Sequence, residues 1–248
     1  MKQEIWHGDC LELMTQISDK TINLIIVSPP YFNAKKYSSW PDYTSYLNWC
    51  QRWINECFRI LQDGRMLCIN TSSVIEARVS RQFRSKRYNI PADIYSLCKN
   101  FWFCEEIIWE KPEGAAINRN QRFSLDRHPL QWRANPTTER ILVMQKPINC
   151  LNDKIIKSNQ PHRIEGKFDR GEVWKINPVT KSQHPAPFPL DIPEKLINYY
   201  SWPNDIVFDC FAGSGTTLVA AKTLNRQFIG IEKEKEYYDI CVERLKTS

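Results

Sequence analysis

No apolar run in the 248 residues approaches the roughly eighteen needed to cross a bilayer, so no membrane span is expected. No tract is of low complexity and no segment repeats, which argues against a linker-like chain or a solenoid. The nine cysteines include no Cys-x-x-Cys pair, and the four histidines (His7, His128, His162, His184) lie far apart in the chain, so no zinc cluster and no other metal is expected. The cysteines are odd in number, scattered, and preceded by no secretory leader, which fits a reducing, cytoplasmic setting better than a disulfide framework. Cys50, Cys57, Cys68, Cys98 and Cys241 fall within apolar patterns and are expected in the core.

What is present is ordinary for a globular chain: 42% hydrophobic and 25% charged residues, enough for one large domain or one domain with an inserted lobe. The formal charge is +6, and part of that excess is concentrated. Arg78, Arg81, Arg84, Lys86 and Arg87 fall in one run without an acid, with Phe83 and Tyr88 interleaved. Such a run can grip phosphates, or it can be a solvated basic face.

Strands and helices alternate at both ends, the pattern of an α/β sheet covered by helices. Ile22 to Ser28 and Arg65 to Asn70 read as buried strands, and Tyr43 to Leu61 between them repeats apolar residues every three or four positions, as an amphipathic helix does. Asp63-Gly64 reads as the turn into the second strand. Pro91 to Asn100 predicts a helix and Glu105 to Glu110 a strand. From Lys111 to about Thr180 regularity fails, apart from a strand at Ile141 to Met144. Asp191 and Glu194 have the spacing of a capping box, with Pro193 early in the helix. Strand Asp205 to Asp209, a glycine turn, helix Thr216 to Leu224, strand Gln227 to Glu232 and a final helix then form a βαβ unit.

Two strand ends carry the candidate chemistry. From Asp209 to Thr217, small residues separate a strand from a helix, where the backbone must turn sharply and can approach a ligand closely. No lysine follows the glycines, so this is not a phosphate-binding Walker loop, and Leu218 stands where a dinucleotide fingerprint has its third glycine. Glu232, at the end of the next strand, is placed to bind ribose hydroxyls. A turn with no ligand is the alternative. The second strand ends in Ser28-Pro29-Pro30-Tyr31, a rigid tip, because proline nitrogens cannot continue a ladder. An exocyclic amine on a nucleobase is a poor nucleophile, and acceptors must hold its two hydrogens while the nitrogen turns tetrahedral. Ser28 Oγ and the Pro29 carbonyl are such acceptors, and Tyr31 can stack on a base flipped out of a duplex. The plainer reading makes the prolines a strand terminator and Tyr31 a core residue.

These segments together resemble the DNA amino-methyltransferases that use S-adenosylmethionine, the family acting on cytosine N4 or adenine N6. The stretch Asp209 to Thr217 is similar to their motif I, with Cys210 where proline is usual, and Ser28 to Tyr31 resembles motif IV. His7 to Met14 resembles the stretch whose acidic residue, here Asp9, meets the cofactor's adenine. Glu106 to Pro112 resembles motif VIII, and His184 to Ile197 resembles motif X. Motif IV precedes motif I, the permuted order of the β group.

The resemblance implies a Rossmann-like, mostly parallel sheet with helices on both faces: a catalytic part at 1–112, an inserted target-recognition region at 113–180, and a cofactor-binding part at 181–248. It implies S-adenosyl-L-methionine as cofactor, held by Asp9, Cys10, His184, Pro185, Phe188, Asp209, Phe211, Gly213, Ser214, Gly215, Thr216, Thr217 and Glu232. Direct displacement from its sulfonium requires neither a metal nor a covalent intermediate. Catalysis falls to Ser28, Pro29, Pro30 and Tyr31. The partner implied is double-stranded DNA, gripped by Arg78, Arg81, Arg84, Lys86, Arg87, Arg119, Arg122 and Arg133. Asn120, Arg127 and Gln131 are further candidates for reading bases. Trp132 and Trp174 are expected in the lobe core. A cognate restriction endonuclease, a monomer or homodimer, and a nucleoid-associated cytoplasmic location follow from the same resemblance.

Ser-Pro-Pro-Tyr accompanies cytosine N4 enzymes more often than adenine N6 enzymes, which usually carry aspartate or asparagine first. Adenine N6 is the alternative target. The Pro-Cys dipeptide of C5-cytosine enzymes is absent. A DNA-binding protein that keeps the fold without the chemistry is the rival of another class, opposed by the intact Ser28, Gly213 and Gly215, and an RNA substrate is a further alternative.

Overall fold

The computed structural model describes residues 3–34, 38–76, 80, 85–112, 134, 136–150, 156, 163–164, 168–179 and 189–247. Its main sheet has eight strands. In spatial order these are β1 (Gln3–His7), β10 (Gln227–Glu232), β9 (Ile206–Asp209), β2 (Ile22–Val27), β3 (Leu61–Thr71), β7 (Thr138–Gln145), β6 (Trp102–Glu110) and β8 (Val173–Lys175). The first five run parallel, and β7 reverses direction against both β3 and β6.

Period-two alternation splits the sheet's side chains between two cores. Ile25, Val27, Leu67, Ile69, Leu142 and Met144 join one cluster, where α1 (Cys10–Leu13), α2 (Tyr43–Ile60) and α3 (Ile90–Leu97) pack. Leu24, Ile26, Cys68, Ile141, Val143 and Val207 join the other, with α4 (Asp191–Tyr200), α5 (Thr216–Thr223) and α6 (Lys235–Thr247). Strands buried on both faces are largely apolar, which is why β2 reads as a near-continuous apolar run; its one polar side chain, Asn23, donates to Gln62 Oε1 and accepts the Ile206 amide.

Helix α2 starts where Asp42 caps the Ser45 amide at 2.7 Å, and it turns Tyr46, Cys50, Trp53, Ile54 and Cys57 inward at three- and four-residue spacing. All five cysteines expected in the core are buried, divided between its two clusters. Trp174 is buried too, against Tyr199 and beneath the Lys195 ammonium, but in the core of the main sheet rather than that of an inserted lobe.

Three local expectations differ from the structure. Asp63-Gly64 lies inside β3, where the pairing with β2 slips register and Gly64 takes a φ of 80°. The capping box does not form: the N-cap of α4 is Leu190, which places Asp191 inside the first turn, where its charge favours the helix dipole instead. β7 and β8 lie within the 113–180 stretch, yet both are strands of the main sheet. Strand β1 and a small hairpin, β4 (Val74–Glu76) with β5 (Lys86–Tyr88), had no counterpart among the expected elements. Among the described residues, no helix is long and apolar enough to cross a membrane.

Candidate active site

Parallel strands leave their C-terminal ends along one edge of a sheet, and here that edge opens a cavity of about 610 Å³. The volume suits a small molecule buried for most of its surface. Its lining brings Asp9 and Cys10, after β1, together with Ser28 to Tyr31, after β2. The end of β9 adds Asp209, the turn after it Phe211, Gly213 and Ser214, the start of α5 Thr216 and Thr217, and the end of β10 Glu232. Residues more than 200 positions apart in the chain thus share one space.

The turn after β9 is held from several sides. Asp209 Oδ1 accepts the Phe211 amide at 3.0 Å, and Glu232 Oε2 accepts the Gly213 amide at 2.7 Å while its other oxygen takes the Glu234 amide at 2.8 Å. Gly213 and Gly215 adopt φ values of 53° and 80°, which side chains resist. Gly215 does not line the cavity. A β-carbon there would run into Cys241 Sγ on α6, so the close approach of α6 requires a glycine at this position. Arg244, also on α6, donates to the Ser214 carbonyl at 2.6 Å and reaches Ser214 Oγ and Thr216 Oγ1. On the other side the Phe211 ring packs against Trp49 and Trp53 of α2.

Burial sets the protonation of this half. It pushes the Asp209 carboxyl up to about 7, against the opposing pull of the Phe211 amide and the Thr217 hydroxyl. It raises Glu232 as well, where the Glu234 and Gly213 amides oppose it. Burial and then the neighbouring Asp9 push the Cys10 thiol up to about 12, so Cys10 offers a neutral, apolar wall. Asp9 caps α1 through the Leu11 amide at 3.0 Å, and Lys233 lies 3.1 Å from its other oxygen.

The tip of β2 is held differently. Tyr31 donates its hydroxyl to Glu139 Oε2 at 3.0 Å, Asn70 Nδ2 donates to the same oxygen at 2.7 Å, and Lys111 pairs with Oε1 at 2.5 Å. Asn70 Nδ2 is also 3.3 Å from Ser28 Oγ. Asn70, Glu139 and Lys111 were absent from the residues expected from sequence. Lys111 stood within the stretch resembling motif VIII and could have been singled out, whereas nothing local distinguishes Glu139.

Lys86 and Arg87 of the basic run lie on β5, away from the cavity lining, with Lys86 over the Tyr88 ring and Arg87 donating to the Ala134 carbonyl at 3.1 Å. Arg78, Arg81, Arg84, Arg119, Asn120, Arg122, Arg127, Gln131, Trp132 and Arg133 lie outside the described residues, as do His184, Pro185 and Phe188.

A family model described as DNA methylase matches residues 22–243 of the chain. The type II methyltransferase M.BglII of Bacillus subtilis is 28% identical over 256 residues, covering 98% of this chain and 68% of that protein. The type II methyltransferase M.HindIII of Haemophilus influenzae is 32% identical over 232 residues, covering 81% and 69%. Among solved structures, a putative DNA modification methylase of Thermus thermophilus, complexed with S-adenosyl-L-methionine, superposes with a TM-score of 0.75 at 28% identity, over 99% of this chain and 93% of that one.

Proposed function

The chain belongs to the DNA methylase family, and from that premise we propose that it transfers a methyl group from S-adenosylmethionine to N4 of a cytosine flipped out of double-stranded DNA at a specific site. The observation that carries the reading is the cavity that joins the glycine turn and Glu232 to the Ser28-Pro-Pro-Tyr31 tip.

The cofactor's demands fit this side of the cavity. Its ribose needs acceptors, and Glu232 presents a buried carboxylate beside a left-handed glycine turn. Its adenine fits beside Asp9 and the neutral Cys10, and Asp209, Phe211 and Thr217 hold the turn in shape. When bound, S-adenosylmethionine supplies an electrophilic methyl group that carries its own leaving group.

The remaining work belongs to the tip of β2. Ser28 Oγ and the Pro29 carbonyl accept the two amine hydrogens and draw the nitrogen's lone pair out of the ring, an interaction that strengthens as the nitrogen turns tetrahedral. Tyr31 stacks on the extruded base, a contact that repays part of the cost of leaving the duplex. Ser28, in place of a carboxylate or amide side chain, is the feature that favours cytosine N4. The basic residues between 113 and 133, with the Arg78 to Arg87 run, are the proposed DNA grip, and the recognition region is narrowed by the two strands that belong to the sheet.

The test incubates the protein with isotopically labelled S-adenosylmethionine and duplex DNA of mixed sequence, then digests the DNA for mass spectrometry. Label in N4-methylcytosine is the expected result. Label only in N6-methyladenine would overturn the choice of base, and label in neither would overturn the activity.

A further inference from the structure

Glu139 stands near the start of β7, in a part of the chain that carries none of the motifs, and its carboxylate collects three donors. Oε2 takes the Tyr31 hydroxyl at 3.0 Å and Asn70 Nδ2 at 2.7 Å, and Oε1 takes Lys111 Nζ at 2.5 Å. The Glu139 and Lys111 side chains are only 13% and 19% exposed. A carboxylate removed from water to that extent persists only if its lone pairs are filled, and an apolar pair of similar size would hold the sheet together at least as well. Core packing alone therefore gives no reason for the arrangement.

We propose that Glu139 is a positioning residue for the methyl acceptor: it sets the orientation of Tyr31 directly and that of Ser28 through Asn70. The inference rests on the proposed methylation of a base amine at the Ser28 tip.

Hydrogen-bond polarity fixes the orientations. An ionised carboxylate only accepts, so Asn70 must turn its NH₂ rather than its carbonyl oxygen towards Glu139. The same nitrogen then faces Ser28 Oγ at 3.3 Å, and Asn70 Oδ1 is left buried without a partner among the described residues. An amide in the opposite orientation would ask Ser28 to donate its hydroxyl proton. As held, Asn70 gives Ser28 Oγ a donor and leaves a second lone pair for the base amine. Tyr31 is fixed at both ends, by the prolines at its backbone and by Glu139 at its hydroxyl. The stacking plane is thereby set before a base arrives, and preorganisation of this kind shows in turnover rather than in affinity.

The test measures kcat, KM for DNA, cofactor affinity by calorimetry and melting temperature for Glu139→Gln, Tyr31→Phe and the double variant. Glu139→Gln keeps the shape but removes the charge that holds Lys111 and dictates the Asn70 orientation. Its kcat should fall roughly tenfold to a hundredfold, with cofactor affinity changed by no more than about twofold. Tyr31→Phe removes one of the same bonds from the other side, so the double variant should lose less than the product of the single losses. An unchanged kcat in Glu139→Gln overturns the inference. So does a parallel loss of melting temperature, cofactor affinity and kcat, which would mark a merely structural residue. A wild-type protein that moves no methyl group to DNA overturns the underlying reading, and this inference with it.

Discussion

The two halves of the cavity are built by different means. The cofactor side is built mostly from one contiguous segment, 205 to 232, in which a strand, a left-handed glycine turn and a helix are locked by backbone amides onto Asp209 and Glu232, with Asp9 and Cys10 added from the end of β1. The chemical side draws on β2, β3, β7 and the chain just after β6; the sheet's ladders set these strands side by side, and side-chain hydrogen bonds around Asn70 and Glu139 orient the groups they carry. Backbone geometry tolerates little change and fails as a unit. A side-chain network can lose one bond at a time, so its variants should grade rather than collapse.

That contrast predicts the largest effect at the glycine turn. Gly213→Val forces a branched side chain into a φ of 53° beside the amide that Glu232 accepts, and it should abolish measurable cofactor binding in calorimetry while the protein still melts cooperatively. Undiminished affinity in the folded variant would show that the turn does not hold the cofactor. Next comes Ser28→Ala, which removes one acceptor for the amine without touching the turn. Its kcat should fall on the order of a hundredfold, about 3 kcal/mol, with cofactor affinity preserved. Full activity would remove Ser28 from the chemistry.

The cofactor side should also respond to pH. Burial raises Asp209 from 3.8 to about 7 in the folded chain, so the fold holds a proton there that the unfolded chain has already released. The stability this contributes is complete below pH about 4 and is lost as pH rises through about 7, at roughly 1.4 kcal/mol per pH unit. Asp209→Asn does not titrate, so its stability relative to the wild type should rise between pH 5 and pH 8. The checks are melting curves of the ligand-free proteins, and a gap independent of pH would contradict the assignment. The smallest effect is expected outside the cavity. Replacing Arg81, Arg84 and Arg87 should weaken DNA binding for all sequences alike and flatten the dependence of log affinity on log salt by up to about one unit per arginine. An unchanged slope would make the run a solvated face.

The same contrast explains what could be read from the amino-acid order. The βαβ unit from 205 to 232 was legible because glycines, a strand and an acidic strand end occur at fixed local spacing, and β10 matches its expected bounds residue for residue. The β2 strand and α2 helix were legible from periodicity, apart from a residue or so at their ends. Gly215 was legible as a turn glycine, but its packing against Cys241 was not, since the two meet only after α6 folds back. Glu139 was not legible at all. It stands in a polar approach to a strand, Thr137-Thr138-Glu139-Arg140, and gains its partners only when β7 inserts antiparallel beside β3. The capping box failed because spacing alone does not say which residue begins a helix, and Leu190 takes that place.

On the proposed function, the two halves of the cavity act together on the exocyclic amine of a cytosine in DNA. Single-molecule sequencing of genomic DNA from cells expressing the chain tests it most directly, because the method reports both the modified base and its surroundings. N4-methylcytosine is expected at one recurring sequence context, and it should be lost when Ser28→Ala replaces the wild type. Genomic DNA without a new modified base in cells that contain the folded wild-type protein would contradict it.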